Sequence, residues 1–69
     1  VTSYTNAEKL HELEVELGYR ERVFNRLVAE GRMTVQKRDR RMAILRDIIA
    51  DYATLAERDE PRLMMGEKT

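Results

Sequence analysis

A chain of 69 residues without cysteine has room for one domain, and it excludes both a disulfide framework and a thiolate metal centre. Thirteen basic side chains balance thirteen acidic ones, which argues against a generally cationic nucleic-acid binder, and the one histidine, His11, excludes a histidine-rich zinc site. No apolar run approaches the roughly 20 residues that cross a bilayer, so a cytoplasmic protein without a cofactor is the expectation.

Residues 1–4 carry no amphipathic pattern and are expected to fray, with Tyr4 placed to pack as a staple just outside a helix. Thr5-Asn6-Ala7-Glu8 then fits a capping box, Thr5 as cap and Glu8 returning a carboxylate, with Asn6 as a competing cap. A first helix over about 6–30 follows. Leu10, Leu13, Leu17, Arg20, Phe24, Leu27 and Val28 recur at three- and four-residue spacing on one side, with Val23 at the edge. That spacing favours a partner helix at a shallow crossing angle. Gly18 interrupts the helix at a cost of about 1 kcal/mol relative to alanine, either tolerated at a wet position or admitting a closer partner. Val15 and Tyr19 lie roughly opposite the main stripe and share a patch flanked by Glu12 and Arg22, as ordinary surface or as a partner contact.

Gly31 enters the left-handed conformation without steric cost and Thr34 offers a side-chain acceptor to free helix amides, so residues 31–34 read as a tight turn with caps on both sides. The second helix runs over about 35–59. Its stripe is Val35, Met42, Leu45, Ile48, Ile49, Tyr52, Leu55 and Ala56, with Ile44 at the border, and it is wider than one partner helix covers. Folding antiparallel at the turn brings Phe24 near Met42, Leu17 near Ile48 and Ile49, Leu13 near Tyr52, and Leu10 near Leu55. Pro61 stops the helix and leaves a tail, 61–69, whose Leu63, Met64 and Met65 read as a disordered end, a cover for the open end, or a partner segment. The fold class is all-α, a two-helix antiparallel hairpin at 5–60.

So small a chain gains a sufficient core most readily by pairing, and a homodimer forming a four-helix bundle is the expected assembly. Removing an apolar area of order 500 Å² from water on each subunit would contribute roughly 12 kcal/mol before the costs of association. The expected core and dimer interface comprises Leu10, Leu13, Leu17, Arg20, Phe24, Leu27, Met42, Leu45, Ile48, Ile49, Tyr52 and Leu55. Charge bears on the orientation. Residues 1–18 carry one base and four acids, net −3; residues 19–46 carry nine bases and three acids, net +6; residues 47–69 carry three bases and six acids, net −3. A hairpin therefore has a positive turn end and a negative open end, and two copies are expected to lie antiparallel.

Arg20 stands in the apolar stripe. It reads either as an ion-pair residue that fixes register, with Glu16 one turn before it and Asp47 or Asp51 across the seam, or as an aliphatic stem with its head in water. The basic run gives Arg32, Lys37, Arg38, Arg40 and Arg41 as candidate phosphate contacts, or as a solvated face, with Asp39 interrupting it. His11 among Glu8, Glu12 and Glu14 reads as an exposed histidine. No serine-histidine-acid set and no glycine-rich phosphate loop are present, so an enzyme is not expected.

The stretches Glu12 to Leu17, Arg22 to Thr34 and Met42 to Tyr52, within a span of about 40 residues, resemble a group of small proteins of alphaproteobacteria and their phages. The resemblance implies a helical hairpin and carries over no catalytic residue. Leu27 to Thr34 also looks like the turn of short bacterial oligomerisation domains. The expected function is a small structural or protein-interaction module acting through helix-helix association, with an unidentified protein as a further partner; the alternative is a nucleic-acid-associated regulator using the basic turn end.

Overall fold

The computed structural model describes residues 3–59, which form two helices, α1 (Asn6–Ala29) and α2 (Val35–Asp59), folded back on each other as an antiparallel hairpin. Val1, Thr2, Glu60 and the tail from Pro61, including Leu63, Met64 and Met65, lie outside the described residues.

Local chemistry sets each helix boundary. Thr5 is the N-cap of α1: its hydroxyl accepts from the Glu8 amide at 3.0 Å, and Glu8 Oε1 accepts from the Thr5 amide at 2.8 Å. Two amides that a helix start leaves free are thereby satisfied. Asn6, the competing cap, instead reaches across the hairpin. Its Nδ2 donates to Asp59 Oδ2 at 2.7 Å and ties the open ends of the two helices together.

At the other end Gly31 has φ +74°, its amide donates to the Val28 carbonyl at 3.0 Å, and the Arg32 amide donates to the Leu27 carbonyl at 2.8 Å. This pair of bonds is the Schellman ending, which turns the chain within two residues. Thr34 opens α2: its hydroxyl accepts from the Lys37 amide at 3.1 Å and its carbonyl from the Arg38 amide at 3.1 Å. The connection is four residues long, Glu30 aside, so the helices have no choice but to pack side by side.

Among the described residues only Phe24, Met42 and Leu45 are buried, and all three sit in the half of the hairpin nearest the turn. Leu10, Leu13, Leu17, Leu27, Ile49, Tyr52 and Leu55 line the rest of the seam half-buried. Two helices touch along a single line, so these half-buried residues keep an open flank. Phe24 and Met42 share one cleft at the turn end, and Leu13 and Tyr52 share another at the open end.

Gly18 lies in α1, where an added Cβ would meet nothing nearer than Arg22 Nη1 at 3.9 Å. The site has room, so Gly18→Ala is expected to stabilise the helix by about 1 kcal/mol. A melting temperature raised by several degrees, with unchanged oligomeric state, is the expected calorimetric result.

Candidate interaction surface

The two long edges of the seam differ in chemistry. Along one, Arg46 Nη2 reaches Glu21 Oε2 at 3.3 Å and Arg38 Nη1 donates to Asn25 Oδ1 at 3.1 Å, so polar bridges close that edge. Along the other, the Arg41 guanidinium stands 4.9 Å over the Phe24 ring near the turn and Lys9 Nζ stands 5.9 Å over the Tyr52 ring near the open end. Equivalent positions of antiparallel helices meet on the same side. Arg41 and Ile48 are seven residues apart on α2, and Lys9, Glu16 and Val23 recur at sevens on α1, so these side chains share the second edge.

The second edge is where the apolar excess lies. Ile48 is 38% exposed and Ile44 is 46% exposed, each one turn from the other, with Leu55 a further seven residues along. On α1, Val23 is half-buried beside the seam, Tyr19 is 55% exposed one turn away, and Val15 is 55% exposed one turn beyond that. The stripe from Val23 to Val15 climbs from this edge towards the outer side of α1. Val35, which the sequence places in the α2 stripe, is 44% exposed at the start of that helix. A hairpin with one polar-bridged edge and one open apolar edge has a front and a back.

Arg20 sits on the front. Its Nε donates to Glu16 Oε2 at 2.9 Å, with the arginine side chain 27% exposed and the glutamate 45%. Of the three carboxylates within reach by sequence, the one on the same helix a turn earlier is the partner; among the described residues Asp47 and Asp51 bridge nothing to it. An ion pair of this exposure contributes only about 0.3–0.5 kcal/mol to the hairpin itself. Its location is of more consequence than its strength: a charged pair in the middle of an apolar front is the kind of group that fixes one packing register among several. Arg20→Leu is therefore expected to alter the distribution of oligomers as well as the melting temperature; an unchanged distribution in sedimentation would remove the registering role.

Several bases of the turn end have a neighbour within the molecule. Arg32 Nη1 lies 3.3 Å from Glu30 Oε1, Arg38 Nε lies 3.0 Å from Asp39 Oδ1, Arg46 holds Glu21, and Arg41 covers Phe24. Lys37 and Arg40 are exposed. Lys37, Arg40 and Arg41 stand at three- and four-residue spacing and so share one side of α2, while Arg38 reaches across the seam to Asn25. The open-end cleft, lined by Tyr4, Leu13 and Tyr52 with His11 and Glu12, is largely apolar.

Among the described residues no three His, Cys, Asp or Glu side chains stand together as a metal site, and no helix is long and apolar enough to cross a membrane. No family model matches this chain, and no curated protein or solved structure matches it. The front surface is the feature that α1 or α2 read separately does not reveal. Tyr19 on α1 and Ile44 at the border of the α2 stripe come to one side of the molecule only through the antiparallel pairing.

Proposed function

We propose that this protein is a structural interaction module that works by helix-helix association, and that it self-associates by packing the front of one hairpin on the front of another to give a four-helix bundle. The carrying observation is that Ile44, Ile48 and Tyr19 stay exposed on one side of the hairpin after the seam has formed. Scattered apolar residues on a surface need no explanation; a set that follows three- and four-residue spacing on both helices of one side does. The thin core adds to this, because three buried side chains among the described residues are few for two helices of this length. The resemblance of Leu27 to Thr34 to the turns of oligomerisation domains points the same way.

If pairing supplies part of the fold's stability, unfolding is linked to concentration. The midpoint of thermal unfolding by circular dichroism is expected to rise over about a hundredfold increase in protein concentration. A midpoint independent of concentration over that range would contradict self-association.

A further inference from the structure

We propose that the second copy lies antiparallel to the first, on a two-fold axis that passes at Tyr19, with the α1 helices facing each other and the α2 helices facing each other. This rests on the self-association reading and specifies its partner and register.

The pattern on α1 is self-complementary about Tyr19. Counting outward along the helix, Glu16 and Arg22 stand three residues to either side, Val15 and Val23 stand four, and Glu12 and Arg26 stand seven. Three, four and seven are the spacings that keep residues on one side of a helix. Two such helices laid antiparallel with Tyr19 against Tyr19 put Val15 of each copy opposite Val23 of the other. The same register puts Glu12 opposite Arg26, acid facing base, close to the line of contact on both copies. A parallel arrangement about the same residue would set like charge against like.

The other helix has its own centre of symmetry at the same height. Arg41 covers Phe24, and Asn6 is bonded to Asp59, which together set the register of the hairpin. Five residues further from the turn on each helix, Tyr19 stands level with Arg46. About Arg46, Ile44 and Ile48 lie two residues to either side and Arg41 and Asp51 lie five. The axis that pairs Val15 with Val23 across the α1 helices therefore pairs Ile44 with Ile48 and Arg41 with Asp51 across the α2 helices. Two independent helix sequences agree on one axis, and the positive turn end of each copy comes to rest beside the negative open end of the other. Arg20 and Glu16 then form a polar layer next to the axis.

The chain has no cysteine, which makes single thiols clean reporters. Under mild oxidation Tyr19→Cys is expected to give a disulfide-linked dimer. Val15→Cys mixed with Val23→Cys is expected to give the mixed dimer, while neither forms a disulfide alone, because like positions are eight residues, about 12 Å, apart along the axis. Charge reversal supplies a second measurement: Glu12→Arg or Arg26→Glu alone is expected to weaken dimerisation about tenfold at low salt, and the two together to restore it. A dimer that persists in sedimentation while Val15→Cys alone cross-links and the mixture does not would overturn the antiparallel register and leave self-association standing. A chain that stays monomeric throughout would overturn both.

Discussion

Phe24→Ala is expected to abolish the folded hairpin at 25 °C, read as loss of most of the helical circular dichroism at micromolar concentration. Phe24 is 7% exposed, is the one buried residue of α1, and faces Met42 in the turn-end cleft with Arg41 above its ring. Truncating a buried phenylalanine costs about 3–5 kcal/mol, as lost transfer free energy and as a cavity. A core of under 80 residues rarely supplies more than about 3–5 kcal/mol in total, so the loss is comparable with everything available. Phe24→Leu keeps most of the volume and is expected to remain folded with a lower urea midpoint.

Ile48→Glu is expected to have the opposite signature, with the hairpin retained and association lost. Ile48 is 38% exposed at the border of the seam in the single hairpin, so a carboxylate there can reach water without leaving the helix. In the bundle it would be buried. Each dimer would lose two isoleucine burials of roughly 1.5 kcal/mol or more and would have to desolvate two carboxylates. A dissociation constant raised by at least about a hundredfold in analytical ultracentrifugation is the expected outcome. Asp47→Asn, next in the chain but on the outer side of α2, is expected to leave association unchanged. Equal effects from the two substitutions would mean that the front of the hairpin is not the contact.

The hairpin was legible because its instructions are local. Thr5 with Glu8, Gly31, and Thr34 ahead of Lys37 each solve a helix-end problem within a few residues, and the spacing from Leu10 to Leu27 needs only the helical repeat to be read as a stripe. What lay beyond the sequence depends on two elements at once. Arg20 had three candidate carboxylates, and only the folded chain selects Glu16. The bridges from Arg46 to Glu21 and from Arg38 to Asn25 join residues 25 and 13 positions apart, and they make one edge polar. The exposed Ile44, Ile48 and Tyr19 lie along the opposite edge. Within the basic run, the folded chain adds what the sequence alone does not give: Arg38 contacts Asn25 across the seam and Arg41 stands over the Phe24 ring. Function was least legible, because the surface depends on side chains that the two helices bring together only once the hairpin has formed.

Sedimentation equilibrium of the unsubstituted chain across a concentration series is the most direct test. A dimer mass at low micromolar concentration, dissociating only on further dilution, is the predicted result; a fully helical monomer that persists at low micromolar concentration would contradict the four-helix bundle.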